Sequence, residues 1–147
     1  TTLDVTVQKE VLNLIRQLVQ EDGMGLLLIS HDLGLMQGQV DRVMVMYGGS
    51  VLESAATAEL FAHRAHPYTR GLFAARPRLG LARGTRLTTI PGSVPELMDL
   101  PAGCAFADRC TWVVNECHHT PPQAESIALQ MPSDEPHVVS CPRWRLS

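Results

Sequence analysis

Lysine is nearly missing from this chain: Lys9 is the only one among 147 residues. Aromatic residues make up 5% of it, and no cysteine precedes Cys104. With a formal net charge of -3 and both signs mixed along the chain, a polybasic membrane anchor or a basic nucleic-acid arm is excluded. No apolar run approaches the roughly 20 residues of a membrane-spanning helix; Leu26 to Ile29 falls far short of it. Thr1 to Gln8 lacks the basic start and apolar stretch of a secretory signal, and no methionine stands first. The expectation is a soluble, cytoplasmic chain whose beginning is the cut edge of a larger protein. What is present is an ordinary hydrophobic fraction of 45%, sufficient for a core at this length.

Apolar residues recur at Val7, Val11, Leu14, Ile15, Leu18 and Val19, the three-and-four spacing of an amphipathic helix. Asp4 or Thr6 can cap its start and Gly23 can stop it. "MGLLLIS" then reads as a short strand covered on both faces, as in a parallel sheet. A weak helix is expected from about Asp32 to Gln39, interrupted by Gly34 and Gly38. "DRVMVMYGGSVLES" holds two β-type segments about Gly48-Gly49, a hairpin signal. This succession predicts the end of a doubly wound α/β domain. Two short helices broken at Pro67 follow. Beyond Arg76 the chain is rich in proline, with little core of its own and a need for staples. The expected division is residues 1–75 and 76–147.

Ser30-His31-Asp32 ends the apolar run. In open α/β sheets ligands bind at the carboxyl ends of strands, where a histidine can reach a phosphate oxygen or hold a water. The plain alternative is a surface turn in which Ser30 or Asp32 caps a helix. A Ser-His-Asp hydrolase triad is poorly supported, because triad members lie far apart in sequence and meet in the fold.

"TTLDVTVQ", the helix after it, "GLLLISHDL" and "DRVMVMYGG" together resemble the last third of an ABC transporter ATPase. "HPYTRGLFAARP", "IPGSVPEL" and "LPAGCAFADRC" resemble the C-terminal extension of its oligopeptide/dipeptide importer branch. The resemblance implies an α/β fold: the C-terminal part of a P-loop NTPase domain, then a small irregular extension bearing four cysteines. It implies that His31 is the switch histidine touching the γ-phosphate and attacking water, and that Asp4 bridges to the opposite nucleotide site. ATP and Mg²⁺ would be cofactors of the full-length subunit. Its partners would be a second ATPase subunit, identical or homologous, and transmembrane permease subunits. The cargo peptide would be held by a separate receptor, and the location would be peripheral, on the cytoplasmic face of the membrane. The family's phosphate loop, signature motif and catalytic Glu all precede the point where this chain starts, and no glycine cluster stands before Lys9. The chain alone is therefore expected neither to bind nor to hydrolyse ATP.

Cys104, Cys110, Cys117 and Cys141 are separated by five, six and twenty-three residues. Zinc sites generally show closer pairs, and looser spacing in a proline-rich loop suits a four-thiolate iron–sulfur cluster. Spacing alone leaves a 4Fe-4S cluster, zinc, and free or disulfide-bonded thiols open; the resemblance favours the cluster. His118, His119 and His137 are near enough in sequence to substitute as ligands. Arg109, Arg143 and Arg145 can offset a thiolate cluster, and Trp112 and Trp144 are expected to pack the extension. Tyr68 and Arg70 can either touch a regulatory domain or partner subunit, or belong to a helix that Pro67 opens and that packs Leu72 and Phe73 inward. A different class of function stays open: a metal-binding module that senses redox state or docks a partner, without ATPase activity. A truncated product with no function is a third.

Overall fold

The computed structural model describes residues 5–76, 88–128 and 136–146. Asp4 lies outside the described residues, and the expected division between residues 75 and 76 falls at the end of the first described stretch. The described contacts divide the chain into two compact units, Thr1–Asp41 and Arg42–Ser147. None of the described helices is long and apolar enough to cross a membrane.

In the first unit, α1 runs Val5–Asp22, as its apolar period predicts. Thr6 lies inside this helix and does not cap it. Gly23 ends it at φ +63°, a left-handed conformation cheap only for glycine, and the Met24 N–H closes back on the Val19 carbonyl at 3.0 Å. Val7, Val11, Leu14 and Leu18 stay exposed. The expected buried strand at residues 24–30 does not form: the segment is irregular, and Leu27 and Ile29 are 77% and 89% exposed. A parallel strand is stabilised only by neighbours that pair with it and cover both faces. The expected Asp32–Gln39 helix shrinks to one turn, α2, Leu33–Met36, with Gly38 at φ +78°.

The second unit holds a four-stranded antiparallel sheet instead of the end of a parallel one. β1 (Arg42–Tyr47) and β2 (Ser50–Ala56) form the expected hairpin. Gly48 and Gly49 sit at φ +55° and +79°, the two positive values of a tight hairpin turn. β3 (Glu125–Ile127) and β4 (His137–Val139) come from the proline-rich segment, and the order is β1-β2-β4-β3. β4 pairs with β2 through Glu53↔Val139 and Ser54↔Val138. The cysteine-bearing segment thus completes the hairpin's own sheet.

Helices α3 (Thr57–Ala62) and α4 (Pro67–Ala74) follow β2. Pro67 stands at the first turn of α4, where its missing N–H costs nothing. The His66 ring caps the helix, its Nδ1 accepting from the Tyr68 N–H at 3.0 Å. A last short helix, α5, covers Glu116–His119. The core gathers Tyr47, Leu52, Cys104, Ala105, Phe106 and Ala107, with Tyr68, Ile90 and Leu100 packed against them.

Candidate functional site

His31 and the residues beside it form a local turn. The Asp32 N–H donates to Ser30 Oγ at 3.0 Å, and the Asp32 carboxylate accepts from the Gly34 N–H at 2.7 Å, capping α2. Both His31 and Asp32 are exposed. The geometry is that of a helix cap with an exposed imidazole beside it; Asp4 is outside the described residues.

The second candidate is built where the separate motifs meet. Tyr68 packs edge-on to Tyr47 at 4.8 Å, and Phe106 contacts both rings. Arg109 ties a loop to this cluster. Its guanidinium donates to the carbonyls of Pro91 (2.7 Å), Gly92 (3.2 Å) and Ile90 (3.3 Å), and to the Tyr47 hydroxyl at 3.2 Å. The rigid fork of donors is what lets one side chain satisfy so many acceptors. The close packing reaches Gly71, where a Cβ would crowd Ile90. Tyr68 therefore serves the core, Arg70 lies over the Trp112 ring at 5.2 Å, and Phe73 is buried as the inward-packing alternative requires.

Next to this cluster stand the cysteines, all four with free thiols. The Cys104 N–H donates to the Cys117 carbonyl at 2.7 Å and the Gly103 N–H to the His118 carbonyl at 3.1 Å. That approach depends on Gly103, where a Cβ would collide with the Cys117 carbonyl. A backbone N–H two residues onward points at three of the sulfurs: Phe106 toward Cys104, Trp112 toward Cys110, and Arg143 toward Cys141. Such amides stabilise thiolates. Burial works the other way, pushing Cys104 and Cys110 up and taking Cys141 to about 11; Cys141 also feels the charges of Cys110, Cys104 and Cys117. Cys104, Cys110 and Cys117 share one packed cluster, and Cys141, far along the chain, is buried with Ala65 and Val139. Even so, among the described residues no group of three or more His, Cys, Asp or Glu side chains is arranged to hold a metal ion.

Two of the three histidines offered as substitute ligands face carboxylates. His118 Nδ1 lies 3.4 Å from the Asp108 carboxylate, and His137 Nε2 lies 2.7 Å from Glu53 Oε1. Arg145 pairs with Glu125 and Arg109 holds its loop, whereas Arg143 acts on Cys110. Trp144 donates its indole N–H to Glu125 at 3.0 Å.

Sequence reasoning missed Glu53. This carboxylate is 1% exposed and accepts from the Ala65 N–H (2.7 Å) and the His66 N–H (3.0 Å) as well as facing His137. Burial would raise its pKa, but the hydrogen bonds, led by that from His137, outweigh burial and hold it below the ordinary carboxylate value. His66, neighbouring it, is pushed down to about 4 by burial, with the Glu53 charge opposing. A charged residue inside an otherwise uncharged strand was the available signal.

Known proteins bear on this geometry. Residues 52–117 match the family described as oligopeptide/dipeptide transporter, C-terminal region. A peptide import ATP-binding protein of Brucella ovis is 45% identical over 150 residues, covering 99% of this chain and 43% of that protein. The oligopeptide transport ATP-binding protein OppD of Mycobacterium tuberculosis is 42% identical over 146 residues, 99% of this chain and 23% of its own length. A D,D-dipeptide transport ATP-binding protein, DdpD, of Escherichia coli is 46% identical over 121 residues, 82% of this chain and 37% of that one. The chain spans less than half the length of these curated relatives. The matches and the motifs point the same way: this chain is similar to the C-terminal part of peptide-import ATP-binding proteins. More particularly, residues 52–117 are similar to the oligopeptide/dipeptide transporter C-terminal region, and nearly the whole chain is similar to ATP-binding proteins of peptide import.

Proposed function

We propose that this chain is part of an ATP-hydrolysing subunit that powers peptide import. The observation that carries the reading is the similarity to peptide-import ATP-binding proteins along 99% of the chain. On this reading two such subunits enclose ATP, close on binding it, reopen after hydrolysis, and so drive membrane permease subunits. The subunit lies at the cytoplasmic face of the membrane, and a separate receptor selects the peptide. His31 holds the γ-phosphate and orients the attacking water, while Asp4 reaches the opposite nucleotide site. Phosphoryl transfer suits this division of labour, because it needs positioning and charge stabilisation more than covalent help. No residue of this chain is assigned to Mg²⁺, and the chain by itself neither binds nor hydrolyses ATP.

The test is His31→Ala in a full-length subunit. ATP turnover should fall at least about tenfold, ~1.4 kcal/mol of transition-state stabilisation, with a smaller loss of nucleotide affinity. Unchanged turnover removes the switch role. Saturable ATP binding to the 147-residue chain, measured by calorimetry, would overturn its predicted inactivity.

A second reading concerns Cys104, Cys110, Cys117 and Cys141 as ligands of a 4Fe-4S cluster, with or without redox sensing. It is favoured by the shared packing of Cys104, Cys110 and Cys117, by the amides aimed at three of the four thiols, and by Arg143 acting on Cys110. The Arg143 Nε is buried with no hydrogen-bond partner among the described residues, a place for negative charge. A bound cluster would supply the staple that a segment of few regular elements needs. Zinc fits less well, since closely spaced ligand pairs are missing. Elemental analysis of protein prepared without oxygen decides: about four irons per chain support the cluster, a single zinc replaces it, and no metal removes both.

A further inference from the structure

Segments far apart in sequence close on one buried carboxylate. Ala65 and His66, in the turn before α4, donate backbone N–H groups to Glu53; His137, the first residue of β4, faces it with Nε2 at 2.7 Å. Opposite a carboxylate, that nitrogen carries the proton. β4 is three residues long and meets β2 at only two register pairs, with the Ser140 N–H donating to the Leu52 carbonyl at 2.8 Å just beyond it. Cys141 comes next. It is buried with Ala65 and Val139. Cys104, Cys110 and Cys117 are held by their own local turns and by the Cys104–Cys117 backbone bond. The fourth thiol has no such local tie to them, so its place depends on how firmly β4 is seated.

We propose that Glu53, through His137, is the positioning residue that seats β4 and so holds Cys141 in its buried place as the fourth ligand. The proposal rests on reading the four thiols as one ligand set. Its physical basis is that the carboxylate offers an acceptor to every donor around it. Glu53→Gln would turn one of its two oxygens into a donor facing N–H groups. His137→Ala would leave the carboxylate, and a cavity, beneath β4.

The experiment is timed alkylation of the full chain by iodoacetamide, metal-free and reduced, with each cysteine followed by mass spectrometry. In the unsubstituted chain Cys104 and Cys141, both buried, should react slowest. His137→Ala and Glu53→Gln should each speed Cys141 by about tenfold or more through local opening of β4, leaving Cys104 within about twofold. His137→Gln keeps a side-chain N–H toward Glu53 and should recover most of the protection, which a residue merely filling space would not predict. An unchanged Cys141 rate, or an equal rise at all four cysteines, overturns the positioning role. Iron uptake reads out separately: an unsubstituted chain that takes no iron defeats the ligand-set reading, while the alkylation pattern still judges Glu53 and His137.

Discussion

Residues 5–41 and residues 42–146 contain similar kinds of apolar side chain but use them in opposite ways. In the first region Val11, Leu14, Leu18, Leu27 and Ile29 are exposed. In the second Val45, Leu52, Leu60, Phe73, Phe106 and Val139 are buried, and even Glu53 and His137 are enclosed with partners. An apolar pattern therefore records what a segment is built to be covered by, whether or not the cover belongs to the same chain. The first region is patterned for neighbours beyond its own residues, and the second supplies its own.

The sharpest way to break the comparison is Gly103→Ala. The new methyl collides with the Cys117 carbonyl, backbone against backbone, where neither side can swing away. A loss of about 3 kcal/mol or more from the second unit is expected, seen as an early denaturation of tryptophan fluorescence, since Trp112 and Trp144 both lie there. The helicity of α1 should persist. Near-native unfolding of the variant would show that the Cys104–Cys117 contact is not structural.

Acid should act almost as strongly, again on the second unit. His66 is held neutral, at about 4 against an ordinary 6.5. Between those values the unfolded chain binds a proton that the folded chain does not, so stability rises with pH. The contribution is full above pH 6.5 and is lost as pH falls toward 4, by about 3 kcal/mol in all. Glu53, held below its ordinary value, adds a loss of the same sign at lower pH. Urea midpoints at pH 7 and pH 4.5 measure this. His66→Asn keeps a helix cap and should flatten the profile; an equally steep one would place the titration elsewhere.

Arg109→Lys is a smaller perturbation. It preserves the charge but loses the fork that reaches three carbonyls and the Tyr47 hydroxyl, for an expected cost of about 1–2 kcal/mol. Equal stability would mean that the loop at residues 90–92 holds itself.

Least of all should come from Ile29→Asp in this chain: with the side chain 89% exposed, stability should change by less than about 0.5 kcal/mol. In a full-length subunit the same substitution should cost several times more, because a charge would enter a covered strand. A large loss in the short chain would overturn the contrast between the two regions.

Local structure was legible where one residue type dictates one conformation. The period from Val7 to Val19 foretold α1, Gly48-Gly49 the hairpin, and Pro67 the start of α4. The strand expected at residues 24–30 failed because continuous apolar character is a demand for neighbours, and the described chain does not meet it. β4 was illegible for the converse reason: His137-Val138-Val139 is too short to carry a period, and its partner Glu53 lies 84 residues away. Of the candidate site, the cysteines and His31 could be listed in advance. That His137 serves a carboxylate instead of a metal could not.

The sequence by itself determined the turns, the helix starts and the family motifs, since glycine at positive φ, proline at a first turn and a capping side chain act within a few residues. Only the tertiary structure decided that Glu53 is buried, that β4 joins β2, and that Cys141 is buried with Ala65 and Val139. Those outcomes depend on contacts between distant segments, whose strength comes from shared burial and mutual hydrogen bonding, and no single segment carries a signal of its partner.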